Sequence, residues 1–419
     1  MIDQGRQLSN LPTPVNPSPE KPMPVPLLDV NAQNLPLEPE LTAAFSKVLR
    51  SGRFILGEEV EAFENECASF IGANHAVSTS SGTDALLAAL IALGIGPGDE
   101  VLCPSFTFFA TAGCIARTGA TPVFCDVCPI CFNLDVESAA SRLTANTRAI
   151  VPVHLFGQSA DMDSIRSFAA QHQLHLIEDV AQSIGASYKN TNCGTLGDFG
   201  CFSFFPSKNL GGFGDGGLVT TNDANTAETL RRIRNHGMHP KYHHHTIGAN
   251  FRLDALQCAL LRIKLPHLPR YAENRARNAN YYTSRISEIP GTHIASEADC
   301  CCFHTQNDRL KQLGAKLILP AAYAHNTHVW NQFTLRVPGE DRRDSLKNHL
   351  TSLGIGCEIY YPIPLHRQPC FATLPPHALL PCPVSETLAN EVLSIPVYPE
   401  LNTTQLDEVI AAIQSWLLI

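Results

Sequence analysis

Lys208 stands alone as a cation in the run Gly200-Cys201-Phe202-Ser203-Phe204-Phe205-Pro206-Ser207-Lys208-Asn209-Leu210-Gly211, among apolar and small residues. Residues 201–205 have the aromatic content of a short strand. Pro206 cannot donate to a sheet ladder and should end it. Lys208 is therefore expected on a turn just past a strand, with the Ser203 hydroxyl five positions earlier. Desolvation in such surroundings disfavours the ammonium form and makes the amine a usable nucleophile. A solvated lysine on a flexible turn explains this stretch equally well when it is read by itself.

Other residues join it. Ser81-Gly82-Thr83 follows the apolar run 76–79 and precedes the strong helix formers of 85–93. A strand-to-helix junction leaves backbone N–H groups at the positive end of the helix dipole, which suits an anion. An ordinary Ser/Thr helix cap uses the same residue types. Asp179 and Gln182 close the apolar run 174–180, and Phe108 follows the run 100–105. The set comprises an anion cradle, a second hydroxyl, an acid, a flat aromatic and a lone amine. Pyridoxal phosphate requires these groups: a phosphate cradle, a lysine for a Schiff base, a carboxylate for the pyridinium nitrogen and a stacking face.

The elements that must hold these groups alternate. Short apolar strands are expected at 76–79, 100–105, 121–127, 149–155, 174–180 and 218–221, and helices at 85–93, 106–115, 160–172 and 227–236. That pattern gives an α/β fold, a mostly parallel sheet with helices on both faces. Ligands then bind outside the carboxyl ends of the strands, where Phe108, Asp179 and Gln182 fall. Helices are expected at 37–49, 57–70 and 254–265, and a long one at 271–286 crosses to a smaller α+β region. That region should hold strands at 329–337 and 357–361 and helices at 342–353 and 404–418. The expected organisation is a disordered Pro-rich extension (1–25), a large domain (26–270) and a small C-terminal domain (271–419).

Composition excludes other classes. The 419 residues are 44% hydrophobic, carry a net charge of −9 and contain no long basic run. This argues against nucleic-acid and anionic-membrane binding. No apolar run approaches the roughly 18–20 residues of a membrane span. The N-terminus lacks the apolar core of an export signal, so a cytoplasmic location is expected. Fifteen cysteines, an odd number, read as thiols in a reducing compartment. Cys125, Cys128 and Cys131 resemble an iron–sulfur run, but Asp135 stands where a fourth cysteine would. Zinc would need a second Cys or His pair elsewhere. Cys300-Cys301-Cys302 are consecutive, a poor chelating arrangement, and His243-His244-His245 reads as a polar loop. No metal is expected, with Cys125 buried and Cys300 to Cys302 more accessible. The glycines from Gly212 to Gly217 match G-x-G-x-x-G, but the run precedes a strand and does not open a helix, so it reads as a tight turn.

Several motifs resemble the DegT/DnrJ/EryC1/StrS family of sugar aminotransferases. They are Ser81-Gly82-Thr83-Asp84-Ala85-Leu86, Glu178-Asp179-Val180-Ala181-Gln182, Phe202 to Leu210, Gly248 to Gln257 and Tyr361-Pro362-Ile363-Pro364-Leu365-His366. The resemblance runs from about residue 26 to the C-terminus. It implies a type I aminotransferase fold and a homodimer with shared active sites. It implies that Lys208 bonds the cofactor, Asp179 pairs with the pyridine nitrogen, Gln182 reaches the ring hydroxyl and Phe108 stacks on the ring. Gly82, Thr83 and Ser203 would hold the phosphate, and Asn250 of the partner subunit would complete the site. Tyr361 and His366 fall where the family contacts its sugar nucleotide. The implied reaction moves an amino group from glutamate to a nucleotide-linked keto sugar, for surface polysaccharide or glycoconjugate biosynthesis. Residues 241–248 look closer to relatives acting at C3 than at C4. The alternatives are a dehydratase relative, which would carry His at the lysine position, and a non-catalytic cofactor-binding regulator. The chain departs from the family in its N-terminal extension and in the long stretch 292–327.

Overall fold

The computed structural model describes residues 25–296, 299–300, 314–320 and 322–418. The expected N-terminal extension, apart from Val25, lies outside them, as do Cys301 and Cys302.

A seven-stranded sheet forms the centre. Its strands are β1 (His75–Thr79), β2 (Glu100–Pro104), β3 (Thr121–Cys125), β4 (Thr147–Ile150), β5 (His175–Asp179), β6 (Phe199–Ser203) and β7 (Gly217–Thr221). The spatial order is β1-β7-β6-β5-β4-β2-β3, with β7 running against the other six. Both β2 and β7 are buried along their whole length. This is why such strands read as unbroken apolar runs instead of alternating ones. Helices α1 (Glu58–Ile71), α2 (Gly82–Ala92), α3 (Ala110–Arg117), α4 (Met162–His172) and α5 (Ala224–Arg234) flank the sheet.

Register sets the site. Asp179, the last residue of β5, pairs with Cys201, two residues before β6 ends at Ser203. Ser203 pairs with Gly217, and Thr79 pairs with Gly217 from the other side. The chain leaving β1 must then cross close to β7. A Cβ on Gly217 would stand 2.3 Å from the Ser81 carbonyl oxygen, so only glycine lets that crossing through. Beneath it, Glu64 of α1 accepts from the Ser78 N–H at 2.9 Å and the Ser78 hydroxyl at 2.7 Å, and pairs with Arg234 of α5. This buried charge cluster ties two helices to the end of β1.

Helix α6 (Leu268–Ile286) crosses to a second sheet of β8 (Thr292–Ile294), β9 (Leu317–Leu319), β10 (Phe333–Arg336) and β11 (Val392–Ile395), in that order. Helices α7 (Arg342–Ser352) and α8 (Thr403–Leu417) cover it. Tyr282, Phe333, Leu350, Leu393 and Ile413 share its core. Val25 joins that core and bridges to Ile355, so the N-terminal end of the described chain packs with the C-terminal sheet.

The structure corrects several expected strands. Strand β4 stops at Ile150 instead of reaching 155 because Pro152 has no N–H for the ladder. The run 329–337 is strand only from Phe333, after Trp330 turns with φ +48°. Residues 357–361 form no strand: Glu358 bridges to Ser394, and the rest turn toward a cavity. Strands β8, β9 and β11 were not expected. Cys125 is buried as expected, but Cys300 is buried too, packed with Ile130, Ala295, Ile318 and Tyr323.

Breaking a buried ion pair from one side leaves an uncompensated charge. Glu64→Ala should therefore cost about 3–5 kcal/mol, while Glu64→Leu combined with Arg234→Met should cost much less. Denaturant midpoints of the three proteins check this; equal losses in the single and double variants would contradict it.

Candidate active site

A cavity of about 660 Å³ opens at the carboxyl ends of β5 and β6. Of the ten residues expected in the site, eight line it: Gly82, Thr83, Phe108, Asp179, Gln182, Ser203, Lys208 and Tyr361. Asn250 and His366 do not. Asn250 is exposed and bridges to Asn235, away from this chain's own cavity. His366 is buried; its Nε2–H donates to Glu386 at 2.9 Å and its Nδ1 accepts from the Ser105 hydroxyl at 2.5 Å. In this chain it braces the wall from behind.

Asp179 ends β5 with its carboxylate buried. Burial pushes its pKa up. The Thr111 hydroxyl, donating at 2.8 Å, and the Ala181 N–H, donating at 3.1 Å, pull it back, as does the charge of Lys208. Thr111 sits one residue into α3, and its hydroxyl fixes one carboxylate oxygen.

Lys208 lies on a turn closed by its own N–H to the Phe205 carbonyl at 2.8 Å. The residue as a whole is half-buried, but the cavity walls desolvate the amine and lower it to about 8; the Asp179 charge opposes that drop. Next to it, buried Asn209 donates to the Val329 carbonyl at 2.9 Å and accepts from Asn331 at 2.8 Å. The buried Lys264 amine donates to the Gly211 carbonyl at 2.6 Å. The turn that carries Lys208 is thus pinned to the segment 329–331 that leads into β10.

The cradle forms where α2 begins. Ser81 caps the helix by accepting from the Asp84 N–H at 3.0 Å, and Asp84 in turn holds the Ser80 and Ser81 hydroxyls. Gly82 and Thr83 are the first helical residues, so their N–H groups have no intrahelical acceptor. A Cβ on Gly82 would lie 2.7 Å from the Ser203 Cβ. Glycine is what lets the bare helix end and the Ser203 side chain approach each other this closely.

Gln182 is held at both ends of its amide. Its oxygen accepts from the Phe156 N–H at 2.7 Å, and its nitrogen donates to the Tyr361 hydroxyl at 3.1 Å. Phe108 is 57% exposed, with its ring free to cover a planar ligand, and lies 6.3 Å from the Tyr361 ring. Asn331, Gln332, Glu358, Ile359 and Tyr360 complete the wall. Asn331 and Gln332 carry no signal in the sequence, inside a run read as strand. Thr111 could have been suspected only from its closeness to Phe108. A buried pair behind the site was also missed: His154 Nδ1 accepts from the Ala160 N–H at 3.1 Å, so its proton sits on Nε2 and is donated to Glu178 at 2.9 Å.

The fold and this site define an aminotransferase: an α/β sheet carrying a desolvated lysine, a buried acid and an anion cradle at its carboxyl edge. The family model of the DegT/DnrJ/EryC1/StrS aminotransferases matches residues 37–414, and the chain belongs to that family. Its members depend on pyridoxal phosphate. A UDP-N-acetyl-3-dehydro-alpha-D-glucosamine 3-aminotransferase of Acidithiobacillus ferrooxidans is 43% identical over 93% of this chain and 97% of its own. A pleiotropic regulatory protein of Geobacillus stearothermophilus is also 43% identical, over 93% and 98%. The crystal structure of S. venezuelae DesV in complex with a ketimine intermediate superposes with a TM-score of 0.84, at 41% identity, covering 94% of this chain and 99% of that one.

Two outcomes follow. Neutral amine at pH 8 should be on the order of a hundredfold more abundant at Lys208 than at an ordinary lysine. The rate at which cofactor-stripped protein bonds added pyridoxal phosphate should therefore rise with pH to a half-maximum near 8. A half-maximum above pH 10, read by absorbance, would contradict the desolvation. Asp179→Asn should keep its cofactor, because the cradle is untouched, yet lose on the order of 10²-fold or more in turnover. Near-normal turnover would remove Asp179 from the chemistry.

Proposed function

We propose that the chain transfers an amino group from glutamate to the keto carbon of a nucleotide-linked sugar, at C3, working as a homodimer in the cytoplasm. The observation that carries this is one cavity joining an anion cradle, a desolvated lysine and a buried acid to a long polar and aromatic wall. The product would be a donor sugar for surface polysaccharide or glycoconjugate assembly. The name of the Acidithiobacillus relative supports C3, in line with the resemblance of residues 241–248. An intact Lys208 beside Asp179 and Gln182 favours a transaminase over the dehydratase and regulator alternatives.

The residues fit pyridoxal phosphate. The converging Gly82 backbone and Ser203 side chain leave room for no Cβ between them, as an anion seat requires. Gly82, Thr83 and Ser203 would hold the phosphate, Gln182 the ring hydroxyl and Phe108 one face of the ring. When bound, the cofactor supplies an aldehyde to carry the amino group and an electron sink for the substrate carbon. The chain's own groups do the rest. Asp179 presents a fixed negative charge and keeps its partner nitrogen protonated. The Lys208 amine, near half-neutral at pH 8, would accept a proton at Nζ from the donor carbon and release it to the carbon that takes over the amino group. Tyr361 and Glu358, on the opposite wall, are placed to orient the sugar, and His366 supports that wall.

Asn250, exposed and away from its own cavity, fits a residue supplied across a dimer interface. Mixed chains carrying Lys208→Ala and Asn250→Ala should then regain activity, since one site of each heterodimer is intact. No recovery despite demonstrated subunit exchange would show that each site is built from one chain. The substrate reading is tested by turnover with glutamate on 3-keto and 4-keto sugar nucleotides. Preference for the 3-keto series is expected, and activity confined to 4-keto sugars would contradict C3.

A further inference from the structure

We infer that Cys128, Cys131 and Cys300 form a structural zinc site that braces the cavity wall from behind. From the sequence no metal was expected, because Cys125-x2-Cys128-x2-Cys131 lacked a fourth cysteine and no partner pair was evident. The fold changes the terms. Cys125 turns away, its thiol directed at the Val123 carbonyl at 3.8 Å. Cys300, 169 residues on from Cys131, arrives in its place. Its sulfur lies 3.2 Å from that of Cys128 and 3.8 Å from that of Cys131, and all three ligand atoms fall within 4.8 Å.

Sulfurs bound at 2.3 Å to a tetrahedral ion sit about 3.8 Å apart. A disulfide would need about 2.05 Å and would leave the third sulfur unused. The local backbone suits a thiolate pair. The Phe132 N–H donates to the Cys128 carbonyl at 3.0 Å and the Cys128 N–H to the Asn133 carbonyl at 2.8 Å, which closes the C-x2-C loop on itself. The Ile130 N–H donates to the Cys128 sulfur at 3.4 Å, an interaction that favours a charged sulfur. Buried cysteines also serve as small apolar residues, and most of those described here do. Among the described residues, this is the one group of three or more ligand-type side chains that converges. Thiolates select zinc over the oxygen-seeking ions, and three of them fill three of zinc's four positions.

None of the three cysteines lines the catalytic cavity. The ion would join the segment after β8 to the loop after β3. Asn133 of that loop donates to the carbonyls of Gln158 and Ser159, each at 3.2 Å, and accepts from the Leu155 N–H at 3.0 Å. The neighbouring Phe156 N–H is the one that holds Gln182. Arg336 of β10 reaches the Pro129 carbonyl at 3.2 Å, so the loop already bridges both sheets. Zinc there would stabilise the position of Gln182 without touching substrate.

The test is elemental analysis of the full-length holoenzyme produced in zinc-supplemented medium and purified under reductant. About one zinc per chain is expected, falling about tenfold or more in Cys131→Ser and unchanged in Cys125→Ser and in the exposed Cys370→Ser. Cobalt exchanged into the wild-type protein should show the intense visible bands of a tetrahedral thiolate site, a readout that needs no variant to fold. A metal-free wild-type protein, iron in place of zinc, or zinc retained in full by a Cys128→Ser, Cys131→Ser double variant would each overturn the inference. So would a 128–300 disulfide found in the reduced preparation.

Discussion

Holding an amine and a carboxylate out of water at the same end of one sheet is the constraint on which the rest of the structure depends. Each such ion loses several kcal/mol of hydration, and the two respond in opposite directions. Burial pushes the Asp179 pKa up, and hydrogen bonds from Thr111 and the Ala181 N–H oppose that rise. Lys208 gives up part of its charge and is lowered to about 8. A group poised near the working pH can both release and accept a proton, as a catalytic acid and base must.

The surrounding architecture keeps that arrangement fixed. The pairing of Asp179 with Cys201 of β6 sets the position of the acid. Glu64, Ser78 and Arg234 hold the end of β1, and thereby the cradle, and the hydrogen bonds of Asn209 join the Lys208 turn to the segment that leads into β10. The second sheet is therefore part of the active site's frame and not an appendage. The segments flanking it supply the wall at 358–361 and, at Val329 and Asn331, the clamp on the lysine turn.

Much of this was legible in the sequence because local rules decide it. An aromatic run ahead of Pro206 marks the strand before Lys208, although β6 closes at Ser203 and not at 205, and a Ser-Gly-Thr run between strand and helix marks a helix start. The Asp179 strand lies in one short segment that carries Leu174, Leu176, Ile177 and Val180. What stayed hidden depends on long-range packing. Pro152 truncates β4, the positive φ of Trp330 delays β10, and 357–361 turns inward with Glu358 alone pairing to a strand. Thr111, Asn331 and Gln332 carry no local signal, since their roles arise from the elements they meet. His366 was read from its motif as a substrate contact, yet its hydrogen bonds to Ser105 and Glu386 place it behind the wall. Cys300 is the clearest case: three consecutive cysteines suggest an exposed loop, and only the fold reveals a buried partner for Cys128.

The central claim is that Lys208 is the amine that bonds the cofactor. The most direct measurement is borohydride reduction of the holoenzyme followed by proteolysis and mass spectrometry. The account predicts one modified peptide, carrying the cofactor-derived mass on Lys208, and none in Lys208→Ala protein. The same mass found on another lysine, with Lys208 unmodified, would contradict it.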